Sequence, residues 1–375
     1  MDIVKYIAEQ FNIPGKLVQV MENTQGNINK TYVLVYEQNG EYNKYLLQKI
    51  NSTVFKEPYL VMRNIELITN FLQKKITETN DTEHKTMSII KTKNDENLYT
   101  YTNESGEKEY YRIFDYIDSC ISYDNLKESK NPEKLAYEVG KTFGNFQKLL
   151  IDFPANMLGE TIKDFHNTPK RFNDLLQSIE NRVTNRAYQF PNEIIDIISK
   201  VKEYSYIQEA LGKTIPLRVT HNDTKLNNIL LDEKTGKGVA VIDLDTVMAG
   251  SSLYDLGDGI RSACSNTYED DTNDYNIYLN MKLTKAYLNG YLSEMYEVLT
   301  PDEINNLVLS IKVLTYELSM RFLTDYINGD TYFKIKYPTH NKDRFHNQFL
   351  LLKDIENKQN ELESYITKKV RTLKK

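Results

Sequence analysis

From Thr220 to Asp232 the chain reads THNDTKLNNILLD, directly after the apolar stretch IPLRV of Ile215 to Val219. A His, two carboxylates, a Lys and three amides therefore follow the end of a strand that looks buried. Polar groups at such a site are costly unless they are hydrogen-bonded or used, so the fold must present a tightly organised loop there. A second strand, in VAVIDLDTV from Val239 to Val247, ends on Asp243 and Asp245. Paired as a hairpin, the two strands would bring Asn228 and Asp243 together.

His221, Asp223 and Asn228 form the spacing H-x-D-x-x-x-x-N, and Asp243 follows in the next strand. Phosphoryl transfer from ATP asks a protein mainly for positioning and charge neutralisation: a carboxylate to take the hydroxyl proton, and oxygen ligands for Mg2+. Asp223 is the expected base, which also orients the acceptor. Asn228 and Asp243 are the expected metal ligands. Lys225 is placed to meet negative charge developing on the transferred group. A lone H-x-D would read as a turn with a helix cap; the full spacing, the Lys and the acid closing the next strand, in this order, favour the catalytic reading. His221 is expected to shape the loop rather than carry a proton.

Strand signals dominate from Leu17 to about Tyr116: LVQVME, KTYVLVYEQ, a turn at Asn39-Gly40, EYNKYLLQKIN, and the later segments ENLYTYT and KEYYRIFDYI. One helix, VFKEPYLVMRNIELITNFLQKK, interrupts them. After Ser119 long helical patterns take over, with the two short strands set among them. The expected fold class is α+β: a small antiparallel sheet lobe at 1–117 and a larger, mainly helical lobe at 118–375, joined near Phe114 to Cys120.

At the front, NTQGNINKTYVLV lies between two strand signals, where a nucleotide-binding lobe puts its phosphate-covering turn. Gly26 is the candidate cofactor contact there, and an ordinary Asn/Gly hairpin turn reads equally well. Lys49, in YLLQKIN, and Glu66, in the following helix, are candidates for the ion pair that aligns ATP in protein kinases; a solvated Lys on an edge strand is the alternative. The amino-terminal MDIVKYIAEQFNIPG reads as a short amphipathic helix with Ile3, Tyr6, Ile7 and Phe11 on one face, not as a secretion signal.

Composition removes several other classes. A net charge of −6, from 47 basic and 53 acidic residues, gives no broad positive field for nucleic acid. No run of eighteen apolar residues exists to cross a membrane, and the two cysteines cannot build a disulfide framework. A cytoplasmic monomer is expected.

LRVTHNDTKLNNIL, VIDLDT, LYDLGDGIR with Asp255, Asp258 and Arg261, MRNIEL, FHNTPKRF and RFLTDYINGDTYFKIKYPTHN together resemble the aminoglycoside phosphotransferase and choline kinase group. Within that group they look most like bacterial N-acetylhexosamine 1-kinases, over the stretch from about Gly26 to past His340. The resemblance implies a protein-kinase-like two-lobed fold, ATP and Mg2+, and phosphate transfer to the anomeric hydroxyl of N-acetylglucosamine or N-acetylgalactosamine. It implies Asp223 as base, Asn228 and Asp243 as Mg2+ ligands, Lys225 as a phosphate contact, and Arg321 and Tyr332 as residues that hold the sugar. Arg321 and Tyr332 also read as a capping Arg and a core Tyr. The chain departs from the family pattern at Asn27, where family members carry His, and Lys49 is not a constant feature of the family.

Two other readings compete. A kinase of the same fold for an aminoglycoside, choline or homoserine would want an acidic acceptor cleft, which YEDDTND, Tyr268 to Asp274, would supply unless it is a solvated loop. A catalytically dead binding protein would be expected to lose at least one of Asp223, Asn228 and Asp243, and all three are present.

Overall fold

The computed structural model describes residues 2–23 and 28–374. Gly26 and Asn27 thus lie outside the described residues. The sheet lobe contains α1 (Asp2–Ala8), β1 (Lys16–Asn23), β2 (Lys30–Gln38), β3 (Glu41–Ile50), α2 (Pro58–Glu78), β4 (Ile89–Ile90), β5 (Tyr99–Thr102) and β6 (Lys108–Asp115). Its strands are all antiparallel in the order β1-β2-β3-β6-β4, with β5 also on β6. The β2–β3 hairpin turns on Asn39 and Gly40, both at positive φ, as the Asn-Gly pair predicts.

Side chains alternate across this sheet, and its two faces have different covers. Leu34, Tyr36, Tyr45, Leu47, Tyr111 and Ile113 pack with α1. On the other face Ile50 and Phe114 pack with α2 in a core that continues into the helical lobe. α1 buries Val4, Ile7 and Ala8, with Phe11 just beyond it, while Ile3 and Tyr6 stay 39% and 46% exposed. The expected apolar face is therefore rotated: the sheet selects the stripe one residue over, and Ile7 and Phe11 belong to both.

The helical lobe begins with β7 (Cys120–Ile121) and α3 (Pro132–Leu149), then α4 (Thr168–Asn181), α5 (Pro191–Tyr204), α6 (Tyr206–Ala210), β8 (Arg218–Thr220), β9 (Ile229–Asp232), β10 (Gly238–Val241), β11 (Met248–Gly250) and α7 (Ser252–Cys264). α8 (Met281–Met295), α9 (Pro301–Asn305), α10 (Leu307–Ile327), α11 (His340–Asn357) and α12 (Gln359–Leu373) complete it. α3 and α8 cross closely because Gly140 and Gly290 each face a carbonyl oxygen of the other helix, Tyr287 and Tyr137, where a Cβ would overlap. None of the described helices is long and apolar enough to cross a membrane.

Asn64 of α2 ties the lobes together. Its Nδ2 donates to the carbonyls of Gly159 and Val247 at 2.8 and 3.0 Å, and its Oδ1 accepts from the Gly159 N–H at 3.1 Å. A fully buried amide so satisfied fixes α2 against the loop that follows Asp243 and Asp245.

Candidate active site

β8 ends at Thr220, and the chain turns sharply through Asn222, at φ 66°. The left-handed backbone is tolerable for Asn, whose side chain bonds locally: Nδ2 donates to the carbonyls of Thr246 and Thr220 at 2.8 and 3.3 Å. Around this turn α7 supplies acceptors. Asp255 takes the N–H groups of His221 and Asn222 at 2.9 and 2.7 Å and the Gln147 amide at 2.8 Å. Asp258 takes the Thr224 N–H at 3.1 Å. Burial would raise the Asp258 pKa, but the Arg261 guanidinium, 2.7 Å away, outweighs it and holds the carboxyl below the usual carboxylate range. The carboxylates of LYDLGDGIR thus act as a mould for the loop backbone.

His221 is buried between the rings of Phe143 and Phe146 on α3. Its Nδ1 accepts from the Asp223 N–H at 3.3 Å and its Nε2 donates to the Ile242 carbonyl at 2.9 Å. With both nitrogens occupied, the ring shapes the loop and joins it to the neighbouring strand.

Asp223 emerges from this mould with its side chain 20% exposed, facing Lys225, whose Nζ lies 2.8 Å from Oδ1. The negative charge of the Asp223 carboxylate raises the Lys225 pKa. The Lys225 side chain remains 46% exposed, so its charge is available to a ligand.

The hairpin forms between β9, which follows the loop, and β10, whereas the IPLRV strand β8 pairs with β11 instead; the Ile242 N–H continues the β9–β10 ladder to the Asn228 carbonyl at 2.9 Å. Asn228, just before β9, and Asp243, just after β10, therefore flank its open end, away from the turn between Asp232 and Gly238. Asn228 Nδ2 is held by the Asp223 carbonyl at 2.8 Å, and its Oδ1 has no protein donor among the described residues. Asp243, at φ 58°, has no ion-pair partner among them. Its carboxyl opens to solvent yet lies deep among protein atoms; this enclosure, with the charges of Asp245 and Asp223, pushes its pKa up to about 6. An amide oxygen and a carboxylate in a cluster with surplus negative charge are hard oxygen donors suited to Mg2+, which commonly takes one or two protein carboxylates and leaves other positions to water and phosphate. The residues present fit that ion.

Arg321 and Tyr332 line an open cavity of about 430 Å³ between α4, α10 and the loop after α10. Arg321 sits in the middle of α10, so it is no cap. Its guanidinium lies 5.3 to 5.9 Å from the ring centres of Phe165, Phe333 and Tyr332 and has no ion-pair partner among the described residues. Tyr332 is 59% exposed, so it is no core residue. Asp325 holds their loop by accepting the N–H groups of Thr331, Tyr332 and Phe333 at 2.8 to 2.9 Å. Arg171 and Lys163 line the same cavity.

The pairing expected between Lys49 and Glu66 does not form. Lys49 meets Glu109 at 2.6 Å and Glu66 meets Lys91 at 2.6 Å. Lys49 shares the α1 face with Tyr45 and Leu47, whereas Gln48 points to the α2 side. The buried cation on the inner face is Arg112 of β6, which sequence reasoning missed; its signal was a charge at the inward parity of an aromatic strand, two residues before buried Phe114. His166 of FHNTPKRF was also unassigned, and it links the carbonyl of Asn222 to Glu317 of α10. The acidic run YEDDTND is mostly spent: Glu269 pairs with Arg261, Asp270 with Lys336, and Asp274 with His346.

Comparison with solved structures finds this two-lobed arrangement in several kinases. The microcompartment-associated aminopropanol kinase is 14% identical, with a TM-score of 0.59 over 96% of this chain and 98% of that one. A choline kinase from Cryptosporidium parvum Iowa II is 13% identical, with a TM-score of 0.57 over 98% and 99%. An amicoumacin kinase, in complex with AMP-PNP, Ca2+ and Ami, is 12% identical, with a TM-score of 0.56 over 96% and 93%. At such identities the likeness speaks for the fold alone. The sequence itself matches the model of the phosphotransferase enzyme family over residues 20–299, a span that holds most of the sheet lobe, the Asp223 loop and the Asp243 hairpin, and the protein belongs to that family.

Proposed function

We propose that the protein is an ATP-dependent kinase that transfers phosphate to the anomeric hydroxyl of an N-acetylhexosamine, giving the sugar 1-phosphate. The observation that carries the reading is the Asp223 carboxylate, braced through its loop backbone by Asp255, Asp258 and His166, and accessible beside Lys225. Asp223 accepts the acceptor hydroxyl proton as that oxygen attacks the γ-phosphorus and the bond to the ADP oxygen breaks. Lys225 turns from Asp223 to the phosphate and meets its growing negative charge. Asn228 and Asp243 would hold Mg2+, which supplies charge neutralisation to the phosphate oxygens. ATP as donor is supported by family membership and by the AMP-PNP bound to the amicoumacin kinase.

Arg321 and Tyr332 supply what a neutral sugar needs, a planar fork of donors beside an exposed ring. The charges lining their cavity weigh against cationic acceptors. Arg171, Arg321 and Lys163 face it; Asp325 is occupied by backbone N–H groups, and Asp174 is paired with Lys170. A polycationic aminoglycoside or a choline would meet guanidinium groups there. The test is to incubate the protein with ATP, Mg2+ and a panel of N-acetylhexosamines, aminoglycosides, choline and homoserine. Phosphorus NMR separates an anomeric phosphate from a primary ester. Turnover of N-acetylhexosamines to the 1-phosphate supports the reading, and no turnover of any of them overturns it.

A further inference from the structure

Asp245 stands two residues from Asp243, and the proposed transfer makes no use of it. Its side chain is nevertheless buried and in contact with the sheet lobe. It is 2% exposed, with Oδ1 2.5 Å from Arg112 Nη1 and Oδ2 accepting from Asn29 Nδ2 at 2.7 Å. Arg112, 1% exposed, donates from Nε to Gln48 Oε1 at 3.0 Å and lies 5.1 Å from the Phe114 ring centre. Asn29 uses its Oδ1 to accept the Asn51 N–H at 3.0 Å. The start of β2, the end of β3 and the middle of β6 thus converge on one carboxylate of the helical lobe.

A buried ion pair is a poor choice if the lobes only need to adhere, since well-packed apolar residues of similar volume often serve as well or better. What the pair adds is a charge set in one place: Gln48 holds the guanidinium through Nε, and Nη1 lies against Asp245 Oδ1, a buried oxygen with no hydrogen-bond partner among the described residues, so its negative charge is met by Arg112 alone. Asp245 lies in the short turn Leu244–Thr246 that follows Asp243. A shift of the sheet lobe pulls on that turn and reaches the Asp243 carboxylate across one residue, Leu244, which is packed in the core and limits how far the backbone between them can rotate.

We propose that Arg112 is a positioning residue that acts through Asp245 to couple the sheet lobe to the Asp243 side of the metal and nucleotide site. This inference rests on reading the cleft as a Mg2+–ATP site. The sheet lobe contributes through a strand-β6 arginine what protein kinases obtain from a strand lysine and helix glutamate.

The test is direct nucleotide binding to the full chain, by calorimetry with AMP-PNP in Mg2+ and again in EDTA. Removing one partner leaves a buried charge and endangers folding, so the informative variant is the double Arg112→Gln, Asp245→Asn, which removes both charges and keeps the shapes. It is expected to bind AMP-PNP about fivefold or more weakly in Mg2+ and about equally in EDTA. Should it fail to fold, Arg112→Lys keeps the buried charge but loses the Nε–H that Gln48 holds, with an expected loss of about threefold, again only in Mg2+. A smaller loss, or an equal loss in both conditions, overturns the coupling and leaves Arg112 and Asp245 as a structural brace. Wild-type protein that binds no AMP-PNP overturns the nucleotide reading and this inference with it; wild type that binds while the variants match it overturns the coupling alone.

Discussion

His166 Nε2 lies 3.0 Å from the carbonyl oxygen of Asn222, the residue before Asp223, while its Nδ1 lies 3.1 Å from the Glu317 carboxylate. Both ring nitrogens face acceptors, an arrangement that a doubly protonated ring satisfies in full. Burial opposes that charge, but Glu317 outweighs it, with the Asn222 carbonyl and Asp258 adding to the effect, and the pKa is raised above 6.5. The rings of Phe165 and Tyr254 complete its surroundings.

A histidine with a raised folded-state pKa contributes stability that is fully present below its unfolded value and is lost as the pH rises through the folded one. The wild-type Tm should therefore fall as the pH climbs above 6.5, and kcat should fall with it as the Asp223 loop loosens. His166→Gln should unfold more easily by about 3 kcal/mol at low pH, the cost of breaking a buried pair, and its Tm should vary less with pH. Melting curves from mildly acid to mildly alkaline pH check this. Parallel Tm profiles for the two proteins would remove the charge from His166.

Asp223→Asn keeps the shape of the proposed base and removes its proton affinity. The expected result is a kcat lower by about 10² to 10⁴ with AMP-PNP binding retained, because the loop is held by backbone contacts to Asp255, Asp258 and His166 rather than by the Asp223 side chain. Steady-state kinetics on the phosphorylated acceptor, beside calorimetry, separates the two effects. A variant with most of its kcat would return the base assignment to open competition among the cleft carboxylates.

Arg321→Ala removes a guanidinium that makes no ion pair among the described residues and stacks on Phe165, Tyr332 and Phe333. A loss of about 1.5–3 kcal/mol of acceptor binding, a hydrogen bond to a charged group, raises the acceptor KM by about tenfold or more and leaves the ATP KM within about twofold. An unchanged acceptor KM would make Arg321 a packing residue of the α10 face.

What was legible from sequence lies close together in the chain. The Asp223 loop and the Asp243 strand are parts of one local hairpin, and Asn39-Gly40 specifies its own turn. Partnerships between distant segments were not legible. Asp245 looked idle until Arg112 arrived from another lobe, His166 until α10 and the loop met around it, and the acidic run until Arg261, Lys336 and His346 neutralised most of it. The α1 stripe was half right because a helix of seven residues offers two overlapping apolar faces, and only the sheet beneath it chooses between Tyr6 and Val4.

Lys49 shows how a single residue of strand parity decides a role. In YLLQKIN the buried residues Tyr45 and Leu47 pack with α1, so Lys49 shares their side and reaches Glu109, while Gln48 takes the inner side and reaches Arg112. At 34% and 18% exposure the Lys49–Glu109 pair is a partly exposed contact, expected to contribute no more than about 1 kcal/mol. Lys49→Met should therefore lower Tm slightly and leave kcat and the ATP KM within about twofold of wild type, whereas a protein-kinase strand lysine contacts the nucleotide phosphates and would raise that KM strongly. Kinetics at varied ATP distinguishes the two. A tenfold rise in the ATP KM would mean that the strand rotates on binding nucleotide and that Lys49, not Arg112, is the cation of the sheet lobe.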